Sequence, residues 1–221
     1  MIVENIEKIG VIDFEDKLTI KSGNTIAVIG KNGKGKTTFL RVLSGNVLPD
    51  KGKINIDYKS YIYPINLIER SKYQKIFRDR ILYFEGQGYL YNNLTVRQNI
   101  KYYSLISDFN EELLLELLYN LNFESKDMNK QVKDISLGTK QKITIGLAFA
   151  SSRKIILIDE PTLGLDIESK QSFIKILEQF KQEKSIIISS NDETILDYFD
   201  LYVYCDDNEV KKIYENPYNK S

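Results

Sequence analysis

The chain has 221 residues and a mass of 25.7 kDa, and its 42% of hydrophobic residues can fill one large core with a subdomain, which excludes a disordered chain. Its 31 basic and 31 acidic residues cancel, so no global field draws it to nucleic acid or to an anionic membrane. There is no histidine, and the single cysteine, Cys205, excludes an intrachain disulfide and a zinc site of its own; any chemistry falls to carboxylates, hydroxyls, amides and lysines.

No stretch approaches the ~18 consecutive apolar residues of a membrane span, and no basic-then-apolar signal opens the chain, so a cytosolic protein is expected. Cys205 reads as buried filler in a reducing compartment. Ile2 to Ile6 and Lys17 to Ile20 are short apolar bursts, expected as an antiparallel edge feeding a buried strand at Ile26 to Ile29. A helix is expected from Lys36 to about Ser44, then turn chemistry at Asp50-Lys51-Gly52 and a strand over Lys53 to Tyr58. Residues 61 to 80 read as loop and helix, and Ile81 to Phe84 as a strand. From Thr95 to about Phe123 the pattern is helical, with Leu113, Leu114, Leu117, Leu118 and Leu121 on one broad apolar face.

Ser136 to Ala150 reads as a capped helix, and Ile155 to Ile158 as a central parallel strand covered on both faces. A helix over 168–183, a strand over 185–189, a short helix near 193–199 and a hairpin of Leu201 to Tyr204 with Val210 to Tyr214, turning at Asp206-Asp207-Asn208, complete an α/β order.

Three stretches carry chemistry. In IAVIGKNGKGKTTFL, Gly30, Gly35, Lys36 and Thr37 stand at the G-x-x-x-x-G-K-[ST] spacing of a phosphate-binding P-loop. A strand delivers a glycine-lined loop to a helix whose N-terminal amides favour anions. Lys36 then reaches the β and γ phosphates, Thr37 holds magnesium, Asn32, Gly33 and Thr38 complete the cradle, and Lys31 and Lys34 add charge at the rim.

In IILIDEPTLGLD, a strand ends in Asp159, placed for magnesium beside Thr37, and Glu160 follows to orient or deprotonate a water. A plain edge and turn would also end in Asp-Glu-Pro. In Ile135-Ser136-Leu137-Gly138-Thr139-Lys140-Gln141, Ser136, Gly138 and Thr139 open a helix as a second anion site, although an ordinary serine-capped helix has the same look.

Together these stretches resemble the ATP-binding cassette (ABC) ATPases, over nearly the whole chain. The Ser-Leu-Gly-x-Lys-Gln form of the signature motif is similar to that of bacterial drug, bacteriocin and haem exporter cassettes. The resemblance implies an α/β P-loop NTPase core with a mixed, largely parallel sheet, an N-terminal antiparallel β-subdomain and an inserted α-helical subdomain. The core lobe would take 1–86 and 150–221, and the helical part about 87–149.

The resemblance also implies an ATPase using ATP and magnesium, closing as a homodimer or heterodimer. In that arrangement Ser136 and Gly138 of one protomer cap the nucleotide held by Lys36 of the other. An integral membrane permease would hold the cassette peripherally on the inner face of the membrane, and no nucleic acid is expected: no sustained heptads lie between Lys36 and Asp159. Gln87 falls where the family's Q-loop contacts magnesium and water, with Tyr89, Tyr91, Tyr102 and Tyr103 as partner-groove or packing residues. Asp166 matches the loop that crosses the dimer seam, and a helix cap is the plainer reading of the same residue.

Two departures stand out. Asn191 takes the place of the family's switch histidine; its amide can donate to a γ-phosphate but cannot carry a proton. The aromatic that usually stacks on adenine is missing: Ile9 and Gly10 stand near its place, and Phe14 is the nearest aromatic. The alternative to an ATPase is therefore an ATP-gated, hydrolysis-poor binding module.

Overall fold

A computed structural model describes residues 1–86, 90–106, 108–207 and 209–213. The strands are β1 (Ile2–Lys8), β2 (Ile12–Thr19), β3 (Thr25–Ile29), β4 (Lys51–Ile56), β5 (Lys59–Tyr63), β6 (Ile81–Phe84), β7 (Ile155–Asp159), β8 (Ser185–Ser189), β9 (Leu201–Asp206) and β10 (Glu209–Ile213). The helices are α1 (Lys36–Leu43), α2 (Leu67–Arg80), α3 (Val96–Ile106), α4 (Glu111–Asn120), α5 (Leu137–Ala150), α6 (Ile167–Phe180) and α7 (Glu193–Leu196).

The strands form one sheet in the order β5-β4-β1-β2-β10-β9-β3-β8-β7-β6. Its β9-β3-β8-β7-β6 half is parallel, and β5-β4-β1-β2 is antiparallel. The expected class, an α/β P-loop core with a mixed sheet and an antiparallel β-subdomain, is what forms. β3 and β8 are buried at every position, as parallel strands covered on both faces must be. β2 instead buries Ile12, Phe14 and Leu18 and turns Asp13 and Glu15 outward, the alternation of a half-solvated strand.

Several boundaries differ from the sequence reading. β2 begins at Ile12 rather than Lys17, because its inward residues alternate with charges. The strand expected over Lys53 to Tyr58 ends at Ile56, where Asp57 and Tyr58 (φ 51° and 62°) make a two-residue hairpin turn into β5, a strand the sequence reading did not contain. In the helical run from Thr95, α3 and α4 are separate; Asn110 caps α4 by accepting from the Leu113 amide at 3.0 Å. α2 opens on a capping box between Asn66 and Glu69.

Two apolar clusters cover the two faces of the sheet. One joins Ala27, Ile29, Ile156 and Ile158 to Leu114, Leu117, Leu118 and Ile143 of the helical part. The other joins Ile26, Val28 and Leu157 to Phe39, Tyr73 and Phe77. Each such aliphatic side chain contributes about 1.5–3 kcal/mol on burial, so the parallel strands are the rigid floor for whatever is built at their ends.

One cation is buried away from that floor. Lys184 is 5% exposed, and its Nζ donates to the carbonyls of Ser151 and Arg153, the latter at 3.0 Å. Burial, helped by nearby Lys154, lowers its pKa from 10.5 to about 8. Below about pH 8 both folded and unfolded chains hold the proton and the penalty is fully present. Between about 8 and 10.5 the unfolded chain holds a proton that the folded chain has released, so this group makes stability rise with pH. Denaturant titrations should find the wild-type chain gaining on Lys184→Met across that window, by up to about tenfold in the unfolding constant per pH unit.

Candidate functional site

Register brings the site together. Val28 of β3 and Asp159 of β7 both pair with Ser189 of β8, so three parallel strands end level, with the loops after them on one edge. Ligands of open α/β sheets sit beyond such carboxyl ends. Gly30 leaves β3 at φ 137°; a Cβ there would lie 2.1 Å from the Cys205 carbonyl oxygen, so the loop approaches β9 as closely as only glycine allows. Cys205 is fully buried, as expected of filler, and burial pushes its thiol up to about 12.

The loop ends at α1, whose N-terminus has no side-chain cap and no acidic residue in its first turn. Its amides and dipole are left for an anion. Lys36, 6% exposed, donates from Nζ to the Gly30 carbonyl at 2.7 Å and reaches the Lys31 carbonyl and Asn32 Oδ1 at 3.4 Å. A buried ammonium held at short range by carbonyl-type oxygens, with the Glu160 carboxylate in a longer ion pair at 3.7 Å, is a cation set for an anionic ligand. Gly33, Gly35, Thr37, Thr38 and Glu160 line a cavity of about 350 Å³ around it. A larger cavity of about 820 Å³, lined by Ser44, Phe77, Arg78, Tyr83 and Arg153 among others, shares none of these residues.

Thr37 Oγ1 donates to Asp159 Oδ2 at 2.8 Å, and Ser189 Oγ donates to the other carboxylate oxygen. This hydroxyl and carboxylate, side by side at the mouth of a phosphate loop, fit magnesium, which is held by one or two protein oxygens together with phosphates and water. No group of three or more His, Cys, Asp or Glu that could hold a metal ion occurs among the described residues.

Glu160 takes a left-handed backbone (φ 49°), rare for a side chain of this size, and its amide donates to the Ser189 carbonyl at 3.1 Å and to Ser189 Oγ at 3.0 Å. Burial raises its carboxyl above the usual range, against the pull of Lys36, which suits a proton acceptor. Asn191 Nδ2 donates to Asn32 Oδ1 at 3.1 Å, which joins the loop after β8 to the P-loop.

Other expected residues lie elsewhere. Ser136 is exposed at the N-cap of α5, its Oγ accepting from the Thr139 amide at 3.1 Å and lying 2.9 Å from the Thr139 hydroxyl. At Gly138 a Cβ would meet the Gly164 carbonyl oxygen at 2.3 Å, so the signature helix sits directly on the loop leading to Asp166. Asp166 caps α6, accepting from the Ser169 amide at 2.7 Å, and that bond lowers its pKa. None of these four lines the P-loop cavity. Lys34 is paired with Asp207 in the β9–β10 turn rather than presenting a free charge, and Lys31 is exposed.

Gln87 and Tyr89 lie outside the described residues. Glu85, just before them, is held by a two-pronged Arg41 contact from α1. Tyr103 is buried against Phe84 and packs the helical part, whereas Tyr91 is exposed and shares a 3.0 Å hydroxyl contact with Tyr102 at the surface. Phe14 cannot stack on a base: it is fully buried with its ring against Phe39, because β2 turns it inward. Val11 reaches the cavity instead, unmarked in the sequence except as the residue after Ile9-Gly10. Gln141, which closes the signature stretch and has no role assigned from sequence, donates its side-chain amide to the Glu160 carbonyl.

The fold and its phosphate loop define a P-loop nucleotide-binding cassette. A profile of the ABC transporter family matches residues 15–163, and the chain belongs to that family. It is 32% identical over 178 residues to the ABC transporter ATP-binding protein NatA of Bacillus subtilis, covering 79% of this chain and 69% of that one. To the lantibiotic transport ATP-binding protein SrtF of Streptococcus pyogenes it is 31% identical over 175 residues, covering 79% and 71%. The fold is similar to that of the cassette MJ0796 in a dimeric post-hydrolysis state bound to ADP and Pi, with a TM-score of 0.79 at 24% identity over 99% of this chain and 100% of that one.

Proposed function

We propose that this chain is the ATP-binding and ATP-hydrolysing subunit of an ABC exporter, cytoplasmic and attached to the membrane through a separate permease. The observation that carries the reading is the convergence of Lys36, Thr37, Asp159 and Glu160 at one edge of the parallel sheet. ATP would lie in the P-loop, its phosphates on the α1 amides and Lys36. Thr37 and Asp159, with Gln87 as the third expected ligand, would hold magnesium, which would neutralise charge on the phosphates. Glu160 orients and deprotonates the attacking water, and Asn191 donates to the γ-phosphate.

Ser136, Gly138, Thr139 and Asp166 act on the nucleotide of a second protomer, identical or not. Their separation from the P-loop cavity of their own chain supports this, as do the exposed Leu163 and Ile167 around Asp166 (55% and 76% exposed), an apolar fringe for a seam. Residues 87–149 would move as the helical unit. Among the described residues no helix is long and apolar enough to cross a membrane, in keeping with a separate permease. The support for export is the Ser136-Leu137-Gly138 form of the signature motif, and the name of SrtF, a lantibiotic transport protein, supports transport.

Steady-state hydrolysis with and without the permease tests the reading. A measurable rate, raised by the permease, is expected. Asn191→Ala removes a preorganised donor and should lower it about 10²- to 10³-fold, while Asn191→His should raise it. Comparable near-zero rates in both conditions would favour the ATP-gated, hydrolysis-poor module, the reading that the absent switch histidine supports.

A further inference from the structure

The side chain of Gln141, in the second turn of α5, is 0% exposed. Its Nε2 donates to the Glu160 carbonyl at 3.1 Å, and its Oε1 has no hydrogen-bond partner among the described residues. The assignment of the amide follows from the acceptor, since only an NH₂ can face a carbonyl. A buried acceptor left unmatched disfavours the fold, and a methionine at this place would avoid it. The bond to Glu160 is what glutamine contributes and an apolar residue cannot.

That carbonyl closes a small system. It also accepts the Leu163 amide at 3.2 Å, so the peptide after Glu160 is held by the loop ahead and by α5 behind. One turn earlier on α5, Gly138 packs on the Gly164 carbonyl and Leu137 lies against Gly164. The helix that displays Ser136 outward is thus keyed at two levels to residues 160–164, at the point where Glu160 adopts its left-handed backbone. Ser189 fixes the amide side of Glu160 to the sheet, whereas Gln141 fixes its carbonyl side to the helix.

We infer that Gln141 is a positioning residue: its amide transmits the place of the signature helix to the Glu160 backbone, so that the carboxylate is aimed for water attack only when α5 is seated. The inference rests on the hydrolytic reading of Glu160. A displacement of about 1 Å at a reacting group can cost on the order of 100-fold in rate, while a phosphate cradle on other elements is untouched.

The test is steady-state ATP hydrolysis by the full chain with its permease, comparing wild type with Gln141→Met and Gln141→Glu, with thermal unfolding of each. The expected result is a kcat lowered about tenfold to a hundredfold with the KM for ATP within about twofold of wild type. In a Glu160→Gln background, ATP-dependent dimerisation should be unchanged by Gln141→Met. An active wild type with unaltered variants overturns the inference alone. Variants that lose KM and kcat together, or that both fail to fold, also overturn it, because Gln141 would then be a packing residue. A wild type without turnover overturns the hydrolytic reading first.

Discussion

Glu160→Gln is expected to leave ATP binding intact, to lower hydrolysis by about 10²- to 10⁴-fold, and to hold two 25.7 kDa chains together as an ATP-bound dimer. The substitution keeps the volume of the side chain and removes its capacity to accept a proton at the working pH. It also removes a negative charge 3.7 Å from Lys36 Nζ, at the place where phosphates must enter, so ATP should bind no more weakly. If nucleotide contributes binding energy at both faces of a seam, blocking its cleavage keeps the closed state populated. Size-exclusion chromatography with light scattering at saturating ATP and magnesium reads the mass directly. A variant that stays monomeric, with or without its permease, would end the shared-site mechanism for this chain.

The parts of this molecule that were legible in the sequence are those where one residue type answers one physical demand. Gly30 and Lys36 stood at a fixed spacing because a backbone must approach β9 within van der Waals limits and an ammonium must turn back over the loop. The Ile-rich β7 announced a strand covered on both faces. β5 was illegible because its turn uses Asp57 and Tyr58 at positive φ, where asparagine and glycine would have marked the hairpin. Phe14 was misjudged as a base-stacking candidate because the charges of β2 hid the alternation that turns its ring inward. Gln141, between Lys140 and Lys142, has the look of a surface glutamine, and only the phase of α5 against β7 puts it beneath Glu160. For Phe14 and Gln141 the missing information was which face points inward, a property of packing rather than of local residue type.

The second large effect is a recovery of activity from two inactive chains. Lys36→Ala removes the buried ammonium of the P-loop, and Ser136→Arg places a bulky cation at the exposed mouth of α5; each protein alone should hydrolyse ATP at less than about one hundredth of the wild-type rate. If each site is made by the P-loop of one protomer and the signature helix of the other, a mixed dimer contains one doubly damaged site and one intact site. Mixing the two proteins at equal concentration should then restore hydrolysis to a substantial fraction of wild type, up to about a quarter if each intact site works alone and half of the dimers are mixed. If instead Ser136 served the nucleotide of its own chain, every site in every dimer would carry a lesion and mixing would restore nothing. The geometry favours recovery: Ser136 is turned to solvent and caps its own helix, and it lies outside the lining of the cavity that holds Lys36. Ser136→Arg also gives up the cap on the Thr139 amide, a cost of about 0.5–2 kcal/mol, so recovery on mixing is itself the evidence that the variant folds.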